Sequence, residues 1–236
     1  MRRAILISAG FFAFSLTIFL AALNRFVDPF IHAGIERIGP QFTGTAVSAE
    51  KVRASLFRGE LEVLKLRIAN PKGYALENAF TAERLSVRLR WISLLTDILE
   101  IEDIRIEKPV VSYEGILRTN NLKKIRSSID RYSSENSGEK HAGDGVRRRC
   151  RVKRVTVQEG KIVIGARWTS EDRKFRLNLP KIELKDVGAG EGGTGFKQAA
   201  SQILRSLYES SSKAVRASGL KEELVKTLLR ISRENQ

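Results

Sequence analysis

The chain has one cysteine and two histidines in 236 residues, so no intrachain disulfide can form and a His/Cys metal site is not expected. Acidic residues are scarce beside basic ones: 27 Asp+Glu stand against 42 Lys+Arg, a formal charge of +15 and a pI near 10.2. An excess of that size points to an anionic partner, whether acidic phospholipid, anionic glycolipid or nucleic acid. Catalytic motifs are missing as well. There is no nucleophile elbow, phosphate loop, zinc-ligand spacing or carboxylate dyad, so a non-enzymatic protein without a cofactor is expected. The glycine-rich run 188–195 precedes helical sequence with no parallel strand pattern after it, which makes it a connector and not a dinucleotide loop. With 42% hydrophobic and 29% charged residues, a packed core is within reach and global disorder is excluded.

One long hydrophobic run is present. Ala4 to Leu23 carries no charge over twenty residues and follows Arg2 and Arg3. At ~1.5 Å per residue such a helix spans the ~30 Å hydrocarbon layer, which predicts a single-pass anchor. Cleavage after Ala22 as a signal peptide is the alternative, less favoured because the run is long and Leu23 precedes the polar exit. The short basic tail stays cytoplasmic by the positive-inside rule, which exports the remainder. In a Gram-negative bacterium this predicts the inner membrane with a periplasmic main domain. Export also removes nucleic acid from the partners.

After the run, the division expected is a tail and anchor at 1–25, a juxtamembrane helix at 26–40, a β domain at 41–190 and an amphipathic helical C-terminus at 191–236. Asp28-Pro29 opens the short helix, which ends before Gly39-Pro40, with His32 as a solvated or interfacial side chain. Within the β domain, Leu85, Val87, Leu89 and Trp91 alternate with polar residues at a period of two. Leu61 and Val63 lead to Leu64, Leu66 and Ile68 with a one-residue phase slip, and Leu99 and Ile101 lead to Ile104 and Ile106 in the same way. Such slips predict β-bulges and a curved sheet. Asn70-Pro71-Lys72-Gly73 marks a turn, Lys108-Pro109 interrupts a strand, and Glu159-Gly160 fits a hairpin turn. Asn120-Asn121-Leu122 opens a short helix, followed by a Ser/Gly-rich loop near 133–146.

At the C-terminus, Phe196, Ala199, Ile203, Leu207 and Tyr208 form one apolar stripe, and Leu220, Leu224, Val225, Leu228 and Leu229 a second beyond Gly219. Packing on the sheet and lying on a membrane both satisfy this pattern. The expected fold is therefore mainly β with terminal helices (α+β): a transmembrane helix, then a curved, bulged, mostly antiparallel sheet, then an amphipathic helical segment.

Two groups of site candidates follow. Leu85, Val87, Leu89, Leu99 and Ile101 would line an apolar groove facing lipid, or else form a closed core. Arg147, Arg148, Arg149, Arg151, Lys153 and Arg154 are the densest charge on the chain, fitted either to anionic head groups or to guarding an edge strand. Cys150 lies between arginines, an environment that lowers a thiol pKa, although no base is placed beside it.

The order of several pieces resembles the AsmA-like family of bacterial envelope proteins. They are the N-terminal anchor, the LKLRIANPKGY turn at 64–74, the strand–SLL–strand–Pro–strand run at 80–114, the NLKKI helix start at 121–125, and the closing strand, glycine loop and helix at 179–207. The resemblance implies an envelope protein of outer-membrane biogenesis that binds or handles lipids and has no transferable catalytic residues. The alternative expected is a membrane-anchored scaffold that docks another envelope complex.

Overall fold

The computed structural model describes residues 11, 14–15, 27–115, 120–135, 149–165, 175–190 and 192–219. Helix α1 runs over 27–43. Strands β1 (Val47–Ser48), β2 (Lys51–Ser55), β3 (Glu60–Ala69) and β4 (Asn78–Leu89) follow, then a 3-10 turn (Trp91–Leu95), β5 (Ile98–Glu107) and β6 (Val110–Glu114). Helix α2 (Asn121–Glu135) leads to β7 (Arg149–Gln158), β8 (Lys161–Gly165), β9 (Phe175–Asn178), β10 (Ile182–Val187), β11 (Thr194–Gly195) and helix α3 (Phe196–Ala217). All eleven strands form one sheet.

The sheet is creased along one line. Lys65 sits opposite Glu83, because Leu64 pairs with Arg84 and Leu66 with Ala82. Lys108-Pro109 lies beside it, since Arg84 pairs with Glu107 and Thr81 with Val110. Glu159-Gly160 comes next, between the Glu107–Gln158 and Val110–Lys161 pairs. Leu179 to Lys181 completes the line, between Asn178–Lys161 and Ile182–Val157. Lys65, Lys108 and Glu159 adopt φ of 50°, 47° and 56°, the left-handed conformation, while the pairing on either side keeps its register; the register shifts lie elsewhere, at Ile68/Ala69 and Arg88/Leu89. Backbone bonds still cross the line, from Lys108 N to Gln158 O (3.0 Å) and from Leu179 N to Gly160 O (2.9 Å). Thus β5–β6, β7–β8 and β9–β10 are each one long strand bent at the same level.

The left-handed residues keep one face apolar throughout. A strict period of two would put Val63 and Leu66 on opposite faces. The left-handed Lys65 reverses the phase instead, which brings Val63 (1% exposed) and Ile68 (7%) into the core on the same side. In β7, Val152 and Val155 are three apart and both buried, with the left-handed Asp186 of β10 (φ 54°) beside them.

Three helices cover that face. Ile125 and Ile129 of α2 and Leu207 and Val215 of α3 pack on Ile68, Phe80, Val111 and Ile162. Ala199 and Ile203 of α3 pack on Ile101, Val152 and Val155. Ile31 and Ile35 of α1 pack on Ala49, Val52 and Val63. Helix α1 also closes the β2 edge. Ala54 N donates to Asp28 Oδ1 (2.6 Å), and His32 Nε2 donates to Ala49 O (2.8 Å).

Several expectations are corrected. Among the described residues no helix is long and apolar enough to cross a membrane. The run 4–23 lies outside those residues except for Phe11, Phe14 and Ser15, so the fold as a membrane helix plus β domain, and with it the single-pass inner-membrane location, is without support. The architecture is mixed α+β, three helices on one large sheet, and β5–β7 and β6–β8 pair in parallel. The β6–α2–β7 connection is a crossover, which alternation alone does not encode. Glu159-Gly160 is a crease residue pair, not a hairpin turn. Helix α1 continues through Pro40 to residue 43, and His32 binds the sheet edge. The second C-terminal stripe and residues 136–148 lie outside the described residues.

Because Glu159 is held at φ 56°, replacement by glycine should relieve the left-handed cost of ~1–2 kcal/mol minus glycine's ~0.5–1 kcal/mol entropic penalty. A β-carbon on Gly160, by contrast, would stand 2.7 Å from Leu179 Cδ2 and 3.0 Å from Pro109 Cγ. Urea titration should therefore show Glu159→Gly equal to or more stable than the parent and Gly160→Ala clearly less stable. Equal loss in both would mean that the crease is not a set conformation.

Candidate functional site

The five groove candidates sit on the helix-covered face. Ile101 is buried, and Val87, Leu89 and Leu99 pack on the same cluster beneath α3. Leu85 packs with Val63 beneath α1. Four of the five thus share one cluster and Leu85 joins another; Ile101 is buried and the other four are partly buried. The apolar cavity between α2 and α3, lined by Phe80, Ile125, Leu204 and Tyr208 among others, has a volume of about 50 Å³. That is one or two waters at ~30 Å³ each, against ~300–1,000 Å³ for a ligand pocket.

The opposite face of the sheet is charged. Its depression of about 490 Å³ is lined by Arg53, Arg84, Arg88 and Arg105 with Glu60, Glu62, Asp103 and Glu107. Here the strand cations are neutralised, while Arg58 of the β2–β3 turn has no ion pair among the described residues. Arg53 and Arg84 both reach Glu62 (3.2 and 3.1 Å), Arg105 reaches Asp103 (2.6 Å), and Arg90 reaches Glu100 (3.2 Å). Such exposed pairs each add ~0–1 kcal/mol, so their effect is to balance charge.

Strand β7 differs. Alternation along Arg149–Gln158 buries Cys150, Val152, Val155 and Val157 and turns the cations outward. Arg149, Lys153 and Arg154 are exposed, and no carboxylate among the described residues forms an ion pair with them or with Arg151. Arg149 Nη1 donates to the Gly192 carbonyl (3.3 Å), and among the described residues the buried Nε of Arg151 has no hydrogen-bond partner. Arg147 and Arg148 lie outside the described residues. Strand β7 is not an edge strand, since β5 and β10 flank it, so edge protection does not account for its charge.

Cys150 corrects its expectation. The side chain is wholly buried, and burial pushes its thiol up, away from reactivity. The arginines beside it in sequence point to the other face and do not reach it.

One constellation escapes sequence reasoning. Glu114 is 2% exposed, and its Oε1 accepts from Asn70 Nδ2 (2.8 Å) and Leu76 N (2.7 Å) while Oε2 accepts from Ala75 N (2.8 Å). Asn121 accepts from Glu114 N (2.9 Å) and donates to Asn70 Oδ1 and Ser112 O, both at 2.7 Å. Every oxygen of Glu114 is satisfied, so this is a clamp joining the 70–77 connector, β6 and α2, without free valence for chemistry. Its only sequence signal is an acid at the end of a strand. Among the described residues no group of His, Cys, Asp and Glu is placed to hold a metal ion. No protein-family model matches the chain, and no curated protein matches it.

Replacing Glu114 with Gln should cost ~2–3 kcal/mol in denaturant titration, because an amide group would face backbone donors and leave one unpaired. Loss below ~0.5 kcal/mol would mean that the clamp is dispensable. The buried thiol gives a pH prediction. A group whose folded pKa is raised adds stability that is full below its ordinary value of 9.0 and lost as pH rises through the folded value. Tyr113, also pushed up chiefly by burial, adds a second component above its ordinary 10.0. Melting midpoints should thus fall on the alkaline side, and Cys150→Val should remove the earlier part of that fall. Maleimide labelling of Cys150 at neutral pH should be slower than in denaturant by more than about a hundredfold.

Proposed function

We propose that this protein is a non-enzymatic module that binds anionic lipid surfaces and acts in lipid handling from the surface of the bilayer. The observation that carries the reading is the contrast between strands: the arginines of β2, β4 and β5 are ion-paired, whereas no carboxylate among the described residues pairs with the cations of β7. Unpaired, outward cations on a chain of +15 are free to meet phosphate groups. The apolar cavity between α2 and α3 is too small for an acyl chain, which favours a surface mode. The motif order that resembles the AsmA-like family supports a lipid role as well.

The test compares the full chain with the triple variant Arg149→Ser, Lys153→Ser, Arg154→Ser in vesicle flotation. On phosphatidylglycerol-containing vesicles the variant should bind more weakly by about two decades, from ~1 kcal/mol per cation near the surface. The difference should shrink as the Debye length falls from ~10 Å at 0.1 M salt to ~3 Å at 1 M. Pure phosphatidylcholine vesicles should not distinguish the two proteins. Equal binding of both to anionic vesicles at low salt would overturn the reading.

A further inference from the structure

Of the ten large apolar side chains exposed among the described residues, Phe57, Trp91, Ile92, Leu95 and Phe196 all gather at one end of the sheet. The topology forces this. The β2–β3 turn, the connector after β4, the starts of β5 and β7 and the end of β11 all lie where Glu60 pairs with Arg88, Ile98 with Arg149 and Gly195 with Arg149. Leu95 is 79% exposed, Phe57 55%, Trp91 51% and Ile92 42%.

These side chains stand on a rigid base. Leu89 N donates to Gly59 O (2.7 Å), and Arg90 N to Glu100 O (2.9 Å). Ser93, buried, donates through Oγ to Arg90 O (2.6 Å) and accepts from Glu100 N (3.0 Å). Thr96 Oγ1 bonds Ser93 O and Ile98 O at 3.0 and 2.9 Å. Gly59 has φ 63°, and a β-carbon there would run into the Leu89 carbonyl, so the turn is locked against β4. The exposure is therefore set by the fold. Helix α1 begins at the same end, where Asp28 holds Ala54, and adds Phe30 at 82% exposure.

Cations surround the apolar group: Arg58 and Arg149 are exposed, and Arg90, ion-paired to Glu100, is exposed too. Asp97 is the acid on the connector. Trp and aliphatic tips that project from narrow turns, with arginines behind them, match the bilayer interface, where apolar groups enter the acyl boundary and cations stay at the phosphates. A protein partner would need a cleft shaped to each projecting side chain, whereas a fluid surface accepts them as they stand.

We infer that the 56–59 turn and the 91–95 connector form an insertion tip, which enters an anionic phospholipid surface end-on while the start of β7 supplies cations at the phosphate level. This rests on the lipid-surface reading above and deepens it by naming the part that enters the bilayer.

Trp91 is the built-in reporter, since the chain has two tryptophans and Trp168→Phe leaves it alone. The full chain in that background is titrated with phosphatidylglycerol–phosphatidylcholine vesicles, with and without brominated acyl chains, beside flotation on the same samples. Insertion predicts a blue shift of Trp91 emission, quenching by the bromines, and a drop of at least about tenfold in binding for Ile92→Ser/Leu95→Ser. Both residues are exposed, and an unchanged melting midpoint identifies the loss as one of contact. Binding that depends on phosphatidylglycerol while Trp91 emission stays unshifted and unquenched would overturn the tip and leave the surface reading standing. Binding with no dependence on phosphatidylglycerol would overturn both.

Discussion

A sheet with strands this long can keep one face dry only if its side-chain phase is corrected wherever it bends. That correction is made at Lys65, Lys108 and Glu159, three non-glycine residues held at φ of 47–56° along one line across four strands. Each turns the backbone over without shifting the pairing register, so apolar residues before and after the bend face the same three helices. Without the slip, Val63 and Ile68 could not share a core, and α1, α2 and α3 would have no common surface to cover. The left-handed residues cost ~1–2 kcal/mol each, a cost that core burial at both sides of the crease offsets.

The same constraint distributes chemistry. With the apolar face used up by helices, charged side chains are left to the other face and to the strand ends. The arginines of β2 and β4 pair across strands with Glu60 and Glu62, and Arg105 pairs with Asp103 along β5. Among the described residues no carboxylate pairs with the cations of β7. Long strands bent in register also end in register, so the β2–β3 turn, the connector after β4 and the first residues of β7 reach the same height. An apolar, basic end is thus a by-product of the sheet's regularity.

Much of the strand content is legible because alternation is strong where one face is wet. The slips at 63/66 and 101/104 can be read from aliphatic positions alone. What the slips cannot convey is where the chain goes afterwards. Glu159-Gly160 has turn composition, yet the chain runs straight on, since β8 finds β6 and β9 and not β7. Trp91 continues an alternating pattern but lies beyond the last pairing of β4, in a turn held by Ser93. The parallel β5–β7 contact spans α2 and carries no local signal. Glu114 and His32 were opaque for the same reason: their partners, at Asn70–Leu76 and Ala49, are fixed only by tertiary structure. The groove candidates pack in the clusters beneath α1 and α3, and nothing in a strand's sequence says which helices lie over it.

Hydrogen exchange on the full chain, with and without anionic vesicles, tests the central claim most directly. The account predicts new protection confined to the 56–59 turn, the 91–97 connector and the start of β7, with the ion-paired strands and the α2–α3 surface unchanged. Protection that falls instead on α2 and α3, or on the β9–β10 edge, with the tip exchanging as in free protein, would contradict it.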